Sequence, residues 1–282
     1  MSVTLITHNT YGQPASGYCT EYQAVYDTFT TKPSSAVATA QNTMVKDLVD
    51  AGIWAKFDIF YVFASHTNDN SEALINWKNP LMYNAISHDD PIFTAYEGMK
   101  GDGVGGETPA AYIEAGGVYL NQLTNYTLNN ASYGIYIRIG YTATESKWVY
   151  GCTNDGNAYN MFSPVFGSTG VVYCLNSTGG GDITNSWGDA RGFWVVDRPN
   201  STSLSLYRNG SLVDSGNYSA TAINSYAKPV ILAVNAPAGP TVKRFCDAQI
   251  SIFHEGGSLG ALNSTYNTII ETYMDSNSKG IQ

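Results

Sequence analysis

Two stretches of helical spacing bracket a long series of strand-like segments. In the first, Val37, Ala40, Met44, Leu48 and Val49 recur at helical spacing, which predicts a helix over 35–51 with one apolar face. Pro33, Ser34 and Ser35 mark its start, and Gly52 supplies a C-terminal stop. In the second, Leu259, Leu262, Tyr266, Ile269, Ile270 and Tyr273 repeat the pattern and predict another covering helix. Between them the period changes. Residues 57–64 (FDIFYVFA) form a nearly continuous apolar run, as in a strand buried on both faces. Residues 133–139 alternate strictly and put Ile135, Ile137 and Ile139 on one face. Further strands are expected over 147–152, 159–166, 170–175, 193–198, 203–208, 211–215, 229–235 and 246–254. Asn209-Gly210, set between Leu204/Leu206 and Leu212, is the sharpest local signal. A type I′ turn needs positive φ at both central residues, and Asn-Gly tolerates it best.

Helix, many short strands, helix is not the alternating pattern of a parallel sheet. It predicts an all-β fold: an antiparallel β-sandwich or jelly roll with two peripheral helices. No internal repeat or heptad segment is present. Residues 1–32 are polar and aromatic, with Tyr11, Tyr18, Tyr22, Tyr26 and Phe29 but no clean period. They read as an arm, 1–32, ahead of a sandwich domain, 33–282. A free arm this aromatic would expose sticky surface, so it is expected to pack on its own domain, on a sister subunit or on a larger particle.

The order of motifs points to a family. Ala51-Gly52-Ile53-Trp54-Ala55-Lys56-Phe57-Asp58 is followed by Asn76-Trp77 and then Gly101-Asp102-Gly103. Downstream come Gly192-Phe193, Asp197-Arg198 and Leu206-Tyr207-Arg208-Asn209-Gly210. The last is Ile252-Phe253-His254 before the C-terminal helix. Spanning roughly residues 29–280, this order resembles a broad group of bacteriophage and prophage structural proteins with a concanavalin A-like (laminin-G-like) β-sandwich. The resemblance implies a virion structural protein, capsid- or tail-associated and assembled in the host cytoplasm. Its expected partners are other virion proteins and sister copies in a homo-oligomer. The alternative is a lectin module that contacts host surface glycans.

Composition narrows the partners. Charged residues make up 13% of the chain and the net charge is -9, which argues against a nucleic-acid or anionic-membrane surface as partner. Twenty-one tyrosines suit strands and also subunit interfaces. The N-terminus shows no secretory signal, and no run approaches the ~20 apolar residues of a membrane span. Without a signal, Cys19, Cys152, Cys174 and Cys246 default to free thiols, with a Cys152–Cys174 disulfide as the other possibility.

Candidate chemistry is sparse. Gly101 to Gly106 matches G-x-G-x-x-G, but Thr108-Pro109 follows where a dinucleotide site needs a helix. Gly179-Gly180-Gly181 lacks the Lys of a phosphate loop. Some concanavalin A-like families are glycosidases with two carboxylates alternating on one strand. The nearest segment here offers Asp58 alone. Ser65, His66 and Asp69 cluster without a nucleophile elbow. Residues 68–72 and His88-Asp89-Asp90 carry oxygen ligands but no calcium-loop spacing. No catalytic residue, metal or cofactor is therefore expected. Sugar recognition calls for exposed aromatics beside planar polar groups. Trp148 and Tyr150 with Asn154 and Asp155 have that composition, as does Trp187 with Asp189 and Arg191. The competing reading places these tryptophans in the core, as expected for Trp54 and Trp77.

Overall fold

A computed structural model describes residues 17–103, 110–141, 147–154, 158–166, 170–183, 188–236 and 241–281. Its helices are α1 (Thr20–Thr28), α2 (Ser35–Asp50) and α3 (Asn263–Ser276). In chain order the strands are β1 (Phe57–Val62), β2 (Ile86–His88), β3 (Ile92–Thr94), β4 (Gly98–Lys100), β5 (Tyr112–Glu114) and β6 (Ala131–Ile139). Next come β7 (Tyr150–Asn154), β8 (Ala158–Phe166), β9 (Gly170–Ser177), β10 (Gly181–Ile183), β11 (Gly192–Arg198) and β12 (Ser203–Arg208). The last are β13 (Ser211–Asn217), β14 (Val230–Ile231), β15 (Val234–Ala236), β16 (Thr241–Lys243) and β17 (Gln249–Gly256).

These strands form two sheets. The first runs β13-β12-β11-β6-β17-β4-β3, with β1 also paired to β17. The second runs β10-β9-β8-β7-β14-β5-β2 and carries the β15–β16 hairpin on β7. Pairing is antiparallel except where Asn235 meets Cys152 in parallel. The fold is the all-β sandwich with peripheral helices that the periodicity predicts.

The run at β1 is apolar on both faces because both are covered. Ile59, Tyr61 and Phe63 point between the sheets, with Ile135, Ile137, Trp194, Phe253, Phe162, Tyr173 and Ile231. Phe57, Phe60 and Val62 point outward into a second core, against Val45 and Leu48 of α2 and Tyr266 and Ile270 of α3. The first sheet is thus sealed twice. Irregular register in β17 at 249–252 explains how Ile250 and Phe253 face inward while Ile252 faces the helices.

The expected helix over 35–51 is α2, with Ser34 accepting a hydrogen bond from the Val37 amide as N-cap. The second expected helix is α3. A third, α1, lies inside the stretch read as an arm. Its Tyr22 and Val25, with Phe29 just beyond, are buried in the helical core. The Tyr22 hydroxyl donates to Gln41 at 2.7 Å. The Thr31 amide donates to Glu72 at 3.0 Å, and the Thr31 carbonyl accepts from His66 Nε2 at 2.6 Å. Residues 1–16 lie outside the described residues. Among the described residues no helix is long and apolar enough to cross a membrane. All four cysteines are free.

The Asn209-Gly210 turn joins β12 to β13 with φ of 51° and 74°, the positive pair that a type I′ turn requires. It also touches α3. A Cβ on Gly210 would lie 3.0 Å from both the Asn267 Cβ and the Ser264 Cα. Gly210→Val therefore meets a backbone penalty and a contact it cannot clear. It should lower stability by more than ~1 kcal/mol, about 2–4 °C in Tm for a chain of this class, in a thermal melt. An unchanged melt would remove the turn from the account of stability.

Candidate functional site

Among the described residues no helix covers the outer face of the second sheet, and a cleft of about 450 Å³ opens there. Tyr112 and Glu114 are two residues apart on β5, so they share a face, while Ile113 between them enters the core. Val230 of β14, with Ala110, Ala233 and Phe245, makes a small apolar patch against which Tyr112 and Val242 pack. Val230 and Val242 carry this patch to the cleft surface. Tyr119, Tyr226, Lys228 and Asn235 complete the walls.

Several wall residues are held from behind. His88, opposite Tyr112 in the β2–β5 pairing, stacks on its ring with centroids 4.4 Å apart and planes 5° apart. Glu114 receives Lys228 Nζ at 2.9 Å on one oxygen and faces His88 Nε2 at 3.5 Å with the other. The Asn235 amide donates to the Lys228 carbonyl at 3.0 Å. Asn224, fully buried, accepts the amides of Tyr226 and Ala227 at 2.9 and 3.0 Å and so fixes the loop that presents Tyr226. The Tyr226 ring itself is 69% exposed. Between β14 and β15, buried Leu232 holds a φ of 71°, a left-handed conformation that a branched residue adopts only under constraint. Its amide and carbonyl are bonded to Val149 and Cys246, which supply that constraint.

The candidates expected from composition fall elsewhere. Trp148 is 5% exposed and lies against Phe166, and Tyr150 is fully buried against Tyr133 and Phe253. Tyr150 and Cys152 alternate inward on β7, so neither Trp148 nor Tyr150 forms an open platform. Asp189 and Arg191 make an exposed ion pair at 2.8 Å, which holds the Asp189 carboxyl below its usual range. Asp155 and Trp187 lie outside the described residues, as do residues 104–106 of the glycine motif. Asn154 ends β7.

Other polar candidates serve as braces. Asp58 accepts the amides of Thr124, Asn125 and Tyr126 at 2.8–3.1 Å and anchors that loop. Ser65 faces His66 Nδ1 at 3.3 Å, but the other imidazole nitrogen is spent on the Thr31 carbonyl and not on Asp69. Glu72 clasps Thr31 and Asn70. Among the described residues no group of three His, Cys, Asp or Glu side chains could hold a metal.

A second concentration of chemistry is sealed between the sheets. Glu255 of β17 bonds to the Tyr150 hydroxyl, and burial pushes its carboxyl up to about 8. Asp58 adds to that rise, while the Tyr150 bond opposes it. Cys152 lies beside it, its thiol raised chiefly by burial. The Tyr126 hydroxyl bonds to both Asn160 and Asn176. Glu255, Tyr150, Cys152, Asn160 and Asn176 are all fully buried, and they read as interior architecture.

No protein-family model matches the chain, and no curated protein matches it. Solved structures do. One concerns botulinum neurotoxin type C, whose cell entry depends on interaction with two ganglioside molecules. It aligns with a TM-score of 0.54 at 13% identity, over 78% of this chain and 53% of the other. The receptor-binding domain of a botulinum neurotoxin C/D mosaic serotype aligns at 0.51 and 12% identity, over 77% and 52%. The chain spans about half the length of these matches. At such identity the likeness shows the fold alone: a β-sandwich.

The raised Glu255 carboxyl has a consequence for stability. Its folded pKa of about 8 exceeds the unfolded carboxylate value of ~4.3, so folding takes up a proton between those limits. Its favourable contribution is whole below the unfolded value and disappears as pH rises through about 8. Glu255→Gln keeps the neutral shape without the titration. The variant should gain on the wild type steadily between about pH 5 and about pH 8.5 in parallel melts. A constant difference across that range would show that Glu255 does not titrate as its burial implies.

Proposed function

We propose that this chain is a carbohydrate-binding, lectin-type module that seats its ligand in the cleft of Tyr112, Tyr119 and Tyr226. The observation that carries this reading is Tyr226: a large aromatic ring, mostly exposed, on a loop fixed by a buried asparagine, beside Glu114, Lys228 and Asn235. Tyrosine offers an apolar ring face for the C–H face of a sugar and a hydroxyl for its rim. The volume lies within the range of small-ligand sites, and the few polar groups are placed by second contacts. The shared fold with receptor-binding domains supports the same reading. Among the described residues that line the cleft Glu114 is the one carboxylate, where a glycosidase uses two, so binding without turnover is the activity proposed.

The virion placement is proposed on the motif order alone. In that setting the helical layer and the segment before it would face the particle and the cleft would face outward. Mass spectrometry of purified particles would detect the chain, and its absence there would leave a lectin module without that address.

Removing the Tyr226 ring tests the main reading. Tyr226→Ala should weaken binding of oligosaccharide probes at least about tenfold, roughly 1.4 kcal/mol. Its Tm should stay where it was, because the ring buries little. Equal affinities by titration calorimetry would reject the cleft as the sugar site.

A further inference from the structure

We infer that the cleft selects uncharged sugars over their acidic, carboxylate-bearing counterparts; this rests on the sugar-binding reading above. The inference comes from which polar groups the protein has already used. Lys228 is the ammonium that lines the cleft, and Glu114 holds it at 2.9 Å. The second Glu114 oxygen faces His88. Lys228 and Glu114 are thus paired by charge, although neither Glu114 Oε1 nor His88 Nε2 completes a hydrogen bond, and Glu114 is the less exposed partner, at 16% against 37% for Lys228. An incoming carboxylate would have to draw Lys228 away and leave a partly buried Glu114 short of its counter-ion, next to the new negative charge. Losing one partner of such a pair costs more than the exposed exchange returns. Asp89 stands beside Tyr112 and adds another negative charge at that wall. The chain's net charge of -9 works in the same direction at longer range.

What remains available is neutral. Among the described residues the hydroxyls of Tyr112 and Tyr226 and the side-chain carbonyl oxygen of Asn235 carry no assigned hydrogen bond, although all three side chains line the cleft. Two phenolic hydroxyls and one amide oxygen match the hydroxyl groups of a pyranose, which donate and accept without charge. Removing such a sugar's partner leaves these groups to water, so discrimination would come from the ring stacked on Tyr226 and the pattern of its hydroxyls.

Lactose and 3′-sialyllactose make the test, since they share one core and differ in a carboxylate sugar. Chitotriose and maltotriose extend the neutral set, and digalacturonate the acidic set. The full chain, its Tyr226→Ala variant and its Glu114→Gln variant would each be titrated with all five. The expected result has two parts. At least one neutral probe binds, loses affinity in Tyr226→Ala, and changes little between about 20 mM and about 500 mM salt. Its acidic counterpart binds at least about tenfold more weakly, and Glu114→Gln narrows that gap by freeing Lys228. Tighter binding of sialyllactose or digalacturonate by the wild type, with steep salt dependence, would overturn the neutral preference and leave the sugar-binding reading standing. Binding that ignores Tyr226→Ala would move the site elsewhere and overturn the inference with it. A folded protein that binds none of the five would reject the sugar-binding reading itself.

Discussion

Strand β17 has no face toward water, and much of the molecule is arranged around that fact. All eight of its residues are buried. A buried polar group without a partner costs several kcal/mol, so each polar side chain on β17 must find one inside the protein. Gln249 accepts from Arg138, and Ser251 donates to the Glu97 carbonyl. His254 sits between Ser132 and Tyr266 at 3.1 and 3.0 Å. Ser132 spends its proton on the Gly257 carbonyl, so the imidazole must donate from Nε2 and accept the Tyr266 proton on Nδ1. Burial holds that ring neutral, with its pKa lowered to about 3. Gly134 on the neighbouring strand leaves the space, because a Cβ there would fall 2.4 Å from the imidazole. A glycine in the middle of an alternating strand is thus the counterpart of a histidine 120 residues away in the chain.

The two sheets solve the problem of their outer faces differently. The first is covered by α1, α2 and α3, while among the described residues no helix covers the second, whose outer face carries a small apolar patch around Val230 and Phe245. A sheet face left open must be polar or useful, since bare apolar strands aggregate. Here it is a shallow, aromatic and charge-balanced cleft. Helical cover on one side and an open cleft on the other give the domain a direction, which a module displayed on a larger body would need.

The framework was legible where a period extends over many residues. The continuous run at 57–64, the alternation at 133–139 and the Asn-Gly turn all translate directly into observed elements, because burial on two faces, burial on one and positive φ each leave their own signature. The cleft left none. Its residues come from strands of two or three residues and the loops between them, too short for any period to register. Tyr112 and Glu114 have the right spacing for a shared face, yet one pair in a chain with so many tyrosines is not a signal. Helix α1 was missed for a related reason. Its apolar side is made of tyrosines, which read as surface in composition but bury their rings and send their hydroxyls to partners such as Gln41. The same ambivalence made Tyr150 look like a binding platform when its hydroxyl is committed to Glu255.

Cys152 shows how interior and cleft are joined. Its backbone pairs with Asn235, whose side chain lines the cleft. Its sulfur faces the opposite way, toward Glu255 and the amides of Asn160 and Asn224. Asn224 in turn carries the Tyr226 loop on its carbonyl oxygen. The loop that presents the exposed ring is thus held by a fully buried side chain that lies beside Cys152. Binding costs fall when a contact surface is ordered before its ligand arrives. Buried Asn224, which is not among the lining residues of the cleft, is thus what orders the loop of the exposed Tyr226 ring before any ligand arrives.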